Sequence, residues 1–174
     1  DGARFANAVV TSGESAAALT WKAGVDVLCF GGAKNGLPMG ETVVFFDREL
    51  AAEFDYRCKQ AGQLCSKMRF LAAPWARLLE TGAWLRNAAW ANARAKELEA
   101  RICAIPGAEI VYPVEANAVF VRMTAAREAA LHAAGWHCYS CIGTGGVRLV
   151  CGGNTRGEEI AAIGEALERV LGGR

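Results

Sequence analysis

The sequence has no long apolar run, almost no net charge and no recognisable leader segment. Apolar stretches such as residues 25–30 and 42–46 are interrupted by a charged residue or a glycine far short of the roughly 20 residues that a membrane-spanning helix needs. Nineteen Lys and Arg balance eighteen Asp and Glu, which leaves a net charge of +1. These features argue against a membrane protein and against one that binds nucleic acid through bulk charge.

Histidines are few and the cysteines form no framework. There are two His and seven Cys, an odd number in a chain large enough to fold without disulfides, so we expect a reduced, cytoplasmic compartment. A zinc site is conceivable from His137, Cys138, Cys141 and Cys151. The second Cys-x-x-Cys pair that would strengthen it is missing. We therefore interpret these cysteines as partly buried thiols and expect no metal.

What the chain does have is the composition of a globular protein. It is 174 residues long, 53% hydrophobic and 21% charged, which suffices for one ordinary domain or parts of two. It begins at Asp1 rather than Met. We expect a piece of a longer protein.

Apolar runs and helical patterns alternate along the first part of the chain. Residues 25–31 and 42–46 have the pattern of buried strands, and Asp47 is suited to cap one helix that continues through Arg57. Residues 70–102 have a helical pattern, with a break expected at Pro74. Its apolar stripe consists of Trp84, Ala88, Ala91, Ala95, Leu98 and Ile102.

A new unit follows Pro106 and Gly107. Strands are expected at residues 118–121 and 147–151, and a helix at residues 125–134. Thr155 with Glu158 predicts a capping box at the start of the last helix. We expect an α/β portion at residues 1–82, followed by a smaller α+β portion at residues 83–174.

Lys34 and Arg148 are the candidate functional residues. Lys34 follows an apolar strand between glycines, so it is either an exposed turn lysine or an amine nucleophile that forms a Schiff base. The glycines around it, like those at residues 143–146, lack the spacing of a nucleotide-binding motif. Arg148 interrupts the apolar strand and needs an anion, supplied by a protein carboxylate or by a substrate carboxylate.

Three segments together resemble a known family. They are Asp-Gly-Ala-Arg-Phe-Ala-Asn-Ala at residues 1–8, Trp-Lys-Ala-Gly-Val-Asp-Val-Leu-Cys-Phe-Gly-Gly-Ala-Lys-Asn-Gly-Leu-Pro-Met-Gly-Glu at residues 21–41, and Val-Arg-Leu-Val at residues 147–150. They are similar to low-specificity L-threonine aldolases, fold-type I enzymes that use pyridoxal 5'-phosphate. The resemblance implies the C-terminal part of an aspartate aminotransferase-like large domain at residues 1–82, then a long linking helix and a small C-terminal domain.

The resemblance also implies roles for individual residues. Lys34 would hold the cofactor through a Schiff base, Asp1 would pair with its ring nitrogen, and Ala3 would pack on its ring. Arg4 and Arg148 would bind the carboxylate of an amino-acid substrate, and Arg4 would also contribute to cofactor binding. That substrate would be L-threonine, L-allo-threonine or a related β-hydroxy amino acid, cleaved to glycine and an aldehyde. The alternatives are β-elimination from a small amino acid, or an inactive piece that only folds or oligomerises.

A basic cluster at Arg57, Lys59, Lys67 and Arg69 is either a solvated helix face or part of a shared active site. In the family a basic residue of this region reaches the cofactor phosphate across a subunit interface. This role falls most readily on Lys59 and implies a homodimer or homotetramer. The sequence departs from the family at Ala33, where a hydroxyl residue is common. The family's phosphate loop, stacking ring and assisting histidine lie upstream, and neither His132 nor His137 matches that histidine.

Overall fold

The computed structural model of the chain describes residues 1–141, 143 and 145–173. Its contacts separate the chain into two units, Asp1–Asn87 and Ala88–Arg174. The division lies near the boundary expected at residues 82 and 83, within the first turns of a long helix. The assignment of these units to a large and a small domain stays a prediction.

The first unit contains two strands, several single turns of 3-10 helix and three complete α-helices. Its strands pair antiparallel, with Val27 opposite Phe45 and Gly31 opposite Glu41. The strands are β1 (Val27–Gly31) and β2 (Glu41–Phe45), the helices are α1 (Phe5–Ser12), α2 (Phe54–Gln60) and α3 (Arg69–Glu80), and the 3-10 turns are Trp21–Ala23, Ala33–Asn35 and Glu49–Ala51. The core consists of Leu28, Phe30, Leu37, Trp75 and Leu78. Apolar alternation in β1 thus buries one face of the strand against α3.

A long helix, α4 (Ala83–Cys103), crosses from the first unit to the second. The second unit adds the strands β3 (Ala118–Arg122), β4 (Tyr139–Cys141) and β5 (Gly146–Val150), and the helices α5 (Ala125–Ala133) and α6 (Gly157–Gly172). Its sheet is antiparallel in the order β3-β5-β4. The expected stripe on α4 is buried at Ala88, Ala91, Ala95, Leu98 and Ile102. Of these residues, Ala95, Leu98 and Ile102 pack in a core shared with β3, β5 and α6.

The expected strands and helices are confirmed, but three local details are wrong. Pro74 lies inside α3. The helices separate instead at Gly82, whose φ of 68° is a left-handed conformation that glycine adopts without a steric penalty. The Asp47 carboxylate does accept a bond from the Glu49 N–H at 2.9 Å. Asp47 thus precedes only the 3-10 turn Glu49–Ala51. Helix α2 starts separately, so no single helix continues from Asp47 through Arg57.

The last helix begins later than Thr155, whose hydroxyl instead accepts from the Gly152 N–H at 2.8 Å. The capping contact is made one residue further along, where the Arg156 N–H donates to the Glu159 carboxylate at 2.7 Å. Strand β4 was not expected from the sequence. Within the described part of the chain, no helix is both long and apolar enough to cross a membrane.

Candidate functional site

The start of the chain runs parallel to β1. The Gly2 N–H donates to the Cys29 carbonyl at 2.8 Å, and the Gly31 N–H donates to the Gly2 carbonyl at 3.2 Å. This pairs Gly2 with Phe30 in a parallel bridge. Because parallel segments leave a sheet at the same edge, the residues that follow Gly2 and those that follow Phe30 emerge together. The structure therefore brings the segment of Asp1, Ala3 and Arg4 to the end of the strand that leads to Lys34.

Two consecutive glycines at the end of β1 are closely packed by neighbouring segments. A Cβ on Gly31 would lie 2.8 Å from the Ala3 Cα, which is shorter than real Cβ contacts. A Cβ on Gly32 would lie 2.5 Å from the Trp75 Cζ2 and 2.9 Å from the Gly40 carbonyl oxygen. Glycine is required at these positions for packing, since larger residues would separate the segments.

Lys34 is exposed at the centre of the 3-10 turn Ala33–Asn35, and that turn is firmly anchored. The Asn35 side chain is buried and donates through Nδ2 to the Trp84 carbonyl at 2.9 Å. The Asn87 Nδ2 in turn donates to the Asn35 carbonyl at 2.8 Å. These bonds hold the backbone of the turn while the amine remains accessible to a reacting molecule.

Asp1 and Arg4 occupy the first turns of the chain. The Asp1 Oδ1 accepts from the Ala3 N–H at 2.8 Å, which fixes the orientation of an exposed carboxylate. A carboxylate has about four lone-pair sites, so this bond leaves capacity for a further donor such as a protonated ring nitrogen. Arg4 is half-buried and is the N-terminal cap residue of α1.

Two polar residues of this region were missed by the sequence analysis. Asn35 anchors the lysine turn, and Glu41 accepts the Gly32 N–H through Oε2 at 3.2 Å. The strand register places Glu41 directly opposite Gly31. The signals available in the sequence were a polar amide beside Lys34 and a lone carboxylate at the start of an apolar strand.

A cavity of ≈ 790 Å³ lies between β2, α2 and α3. Its lining includes Glu41, Arg57 and Trp75, but neither Lys34 nor Lys59. Lys59 is exposed on α2, and within the described residues its side chain makes no hydrogen bond or ion pair. The role expected for Lys59 at the cofactor phosphate therefore stays a prediction.

Arg148 lies in the second unit, at the centre of β5. It pairs with Phe120 of β3 and Tyr139 of β4, while its neighbours Val147 and Leu149 point into the core. The expected alternation is confirmed. The Arg148 Nε is buried, and no acceptor among the described residues bonds to it. The anion expected for Arg148 was either a protein carboxylate or a substrate carboxylate. Since no described carboxylate bonds to Nε, the structure favours an anion supplied from outside this unit.

The zinc site considered from the sequence is not formed by the described residues, which include all four candidate ligands. The structure gathers metal-ligand atoms instead at Glu128, His132 and Cys138. Cys151 is buried, and burial raises the pKa of its thiol from 9.0 to about 11. All seven cysteines are free, as expected.

Comparison with known proteins identifies the family. A sequence model of the beta-eliminating lyase family matches residues 1–126. The chain belongs to this family. The match covers both the lysine turn and the start of the second unit, so the resemblance stated from the segments around Asp1 and Lys34 is confirmed.

Two curated proteins are similar to the chain over nearly its whole length. The low specificity L-threonine aldolase of Pseudomonas sp. (strain NCIMB 10558) is 53% identical over 171 residues, which are 98% of this chain and 49% of the relative. The low specificity L-threonine aldolase of Pseudomonas aeruginosa is 52% identical over 172 residues, 99% of this chain and 50% of the relative. The chain therefore spans about half the length of the curated relatives it matches.

A solved structure supports the fold. The Leishmania major threonine aldolase superposes with a TM-score of 0.87 at 24% identity, covering 98% of this chain and 51% of that one. The chain therefore shares the fold of that structure over the aligned part. Mixed α/β architecture is confirmed.

Proposed function

We propose that these residues form part of a pyridoxal 5'-phosphate-dependent lyase that cleaves L-threonine, L-allo-threonine or a related β-hydroxy amino acid to glycine and an aldehyde. The activity belongs to a protein of the relatives' length, which is about twice the length of this chain. The observation that carries the proposal is an exposed lysine on an anchored turn, directly after a strand that pairs with the Asp1 segment. Both curated relatives are named for threonine cleavage.

The residues of the first unit fit the cofactor. Gly31 allows the Ala3 segment to lie against the end of β1, three residues before Lys34, so the small Ala3 methyl comes from a segment that contacts this strand end. Lys34 would hold the cofactor covalently, and Asp1 would bind its protonated ring nitrogen. When bound, the cofactor withdraws the electrons released at the substrate Cα. Ala3 would pack on the ring, as its position beside Gly31 permits.

Arg148 and Arg4 would bind the substrate carboxylate. A guanidinium binds a carboxylate with two parallel hydrogen bonds, and the buried Nε of Arg148 has the unused donor for one of them. Fixing the carboxylate and the amine of an amino acid fixes the rotation about Cα. That rotation decides whether the Cα–Cβ bond is the bond that breaks. Arg148 thus acts by positioning the substrate, and Arg4 contributes the second cation.

Product analysis of the parent protein tests this function. With L-threonine we expect equimolar glycine and acetaldehyde. Pyruvate or an α-keto acid with ammonia would instead support β-elimination, the alternative that the family name favours. We expect Lys34→Ala to abolish turnover and Arg148→Lys to raise KM for threonine at least about tenfold, because a lysine cannot form the paired bonds. The exposed Arg156 gives a matched control, Arg156→Lys, with unchanged KM. No turnover of any amino acid by the parent would leave only the inactive alternative.

We also propose a homodimer or homotetramer in which Lys59 of one subunit binds the cofactor phosphate of another. Lys59 is exposed, and among the residues that the structure describes its side chain has no hydrogen-bond or ion-pair partner, which supports this assignment. Mixing a Lys34→Ala parent with a Lys59→Ala parent tests it, since shared sites regain activity in hybrids that combine one intact lysine from each subunit. Activity that stays absent in verified hybrids would contradict a shared site. The free cysteines support the proposal of a cytoplasmic location.

A further inference from the structure

Three side chains of the second unit converge outside the residues used above. Glu128 and His132 are four residues apart on α5 and therefore lie on one face of the helix, one turn from each other. Cys138 lies just before β4. The carboxylate oxygen, the imidazole nitrogen and the Sγ of these residues all lie within 4.8 Å of one another. They offer three different metal-ligand atoms, contributed by two separate segments.

The distances match the first coordination sphere of zinc. The Cys138 Sγ lies 3.4 Å from the His132 Nε2. In a tetrahedral site with Zn–S of about 2.3 Å and Zn–N of about 2.05 Å, that separation is about 3.6 Å. The carboxylate oxygen, at up to 4.8 Å from the other two atoms, needs a shift of about 1.4 Å at most. The Cys138 Sγ and the His132 Nε2 are thus already separated as they would be around the ion.

The carboxylate is also oriented from outside the cluster. The Ser140 Oγ donates to Glu128, at 2.7 Å from Oε1 and 2.8 Å from Oε2. Hydrogen bonds of this kind typically orient the carboxylate ligands of metal sites, and Glu128 keeps free lone pairs for an ion. Burial is graded across the cluster. Cys138 is buried, Glu128 is half-buried and His132 is exposed, so an ion can enter from the solvent side.

We propose that Glu128, His132 and Cys138 bind a zinc ion, with water as the fourth ligand. A thiolate, an imidazole and a carboxylate form a set that favours zinc over magnesium or calcium, which prefer oxygen ligands alone. On binding, the Cys138 thiol releases its proton to solvent, and its sulfur donates an electron pair to the ion. The His132 Nε2 binds in the tautomer that carries its proton on Nδ1. No redox partner is required.

The site would fasten β4 to α5. Strand β4 has three residues, and among the described residues it pairs along one edge, with β5. An ion bound by Cys138 and by two residues of α5 joins this edge strand to the helix. The expected role is therefore structural stabilisation of the second unit, independent of the reaction proposed for the family.

Cobalt titration of the metal-free 174-residue chain tests the site. Co²⁺ takes the same ligands as zinc, and a tetrahedral site with one thiolate gives strong visible bands and a sulfur-to-metal charge-transfer band in the near ultraviolet. We expect one equivalent to bind with both signals and to be displaced by Zn²⁺. Cys138→Ser should remove the charge-transfer band. Glu128→Gln and His132→Gln should each weaken binding at least about tenfold.

Nearby residues outside the cluster provide the controls. His137→Gln and Cys141→Ser should leave both spectra and the affinity unchanged, although His137 adjoins Cys138 and Cys141 is only three residues from it in the sequence. Zinc at 100 times its Kd should raise the Tm of the wild-type chain by about 5 °C or more, and should not raise that of His132→Gln. Since His132 is exposed, that variant is expected to fold. Absence of the charge-transfer band in the wild type, or its persistence in Cys138→Ser, would overturn the proposal. Loss of binding in the two controls would also overturn it.

Discussion

The anchoring of the lysine turn leads to a quantitative prediction. Asn35→Ala removes the hydrogen bond from its Nδ2 to the Trp84 carbonyl, a bond that is partly buried. A neutral intramolecular hydrogen bond contributes about 1 kcal/mol net. Trp84 lies in α4, where its carbonyl also accepts the helical bond, so no orphaned acceptor adds a larger cost. The Asn35 Oδ1 is buried and has no hydrogen-bond partner among the described residues, so removing it offsets part of the lost stability. We expect a loss of about 1 kcal/mol.

Hydrogen exchange of the Leu37 amide measures this loss where it occurs. That N–H donates to the Gly32 carbonyl at 3.1 Å, a bond that closes the lysine turn. Opening the turn more easily by about 1 kcal/mol should speed its exchange about fivefold. Asn87→Ala, which removes the bond from its Nδ2 to the Asn35 carbonyl, should have a similar effect. Because both bonds hold one turn, the double variant should fall short of additivity.

The matched control is Gln60→Ala, which removes an exposed amide from the same unit and should leave the Leu37 amide unchanged. If exchange at Leu37 stays within twofold of wild type in both Asn35→Ala and Asn87→Ala, these amides do not hold the lysine turn. The account of how Lys34 is positioned would then fail.

Two further predictions concern packing and pH. Gly32→Ala should lower the free energy of unfolding, measured in urea, by about 1–3 kcal/mol, because its Cβ would lie 2.5 Å from the Trp75 Cζ2. The control Gly172→Ala, whose Cβ would have its nearest neighbour at 3.7 Å, should change this free energy by less than about 0.5 kcal/mol. An unchanged stability of Gly32→Ala would contradict the close packing. Burial raises the pKa of Cys151 from 9.0 to about 11, so the folded state keeps the thiol proton where the unfolded state loses it. The free energy of unfolding should therefore fall between about pH 8 and pH 10, by about 1 kcal/mol from this thiol, and Cys151→Ala should remove that part while the exposed Cys103→Ala retains it. An equal slope in both cysteine variants would refute the assignment.

Local patterns predicted the strands and the long helix because their causes are local. Apolar runs bounded by glycine mark β1, and alternation marks β5, where Val147 and Leu149 are buried and Arg148 is not. The stripe on α4 follows from helical periodicity. Strand β4 has no such signal, since Tyr139 and Ser140 are exposed and the strand exists through its pairing with β5.

The site was only partly predictable for the same reason. Lys34 and Arg148 stand out because each is a cation in an apolar or glycine-rich context. Asn35 does not, because its hydrogen-bond partner lies 49 residues away in the sequence. The four residues considered for zinc in the sequence do not converge on one point. The residues that do converge include Glu128 and His132, which a helix brings to Cys138.

The central claim is that Lys34 holds pyridoxal 5'-phosphate in the parent protein. Borohydride reduction of the parent with the cofactor, followed by peptide mass mapping, tests it directly, since reduction makes the lysine linkage permanent. We predict one label per chain, on Lys34, retained in Lys22→Arg, a variant of an exposed lysine, and lost in Lys34→Arg. A label on another lysine, or no label at all, would contradict the claim.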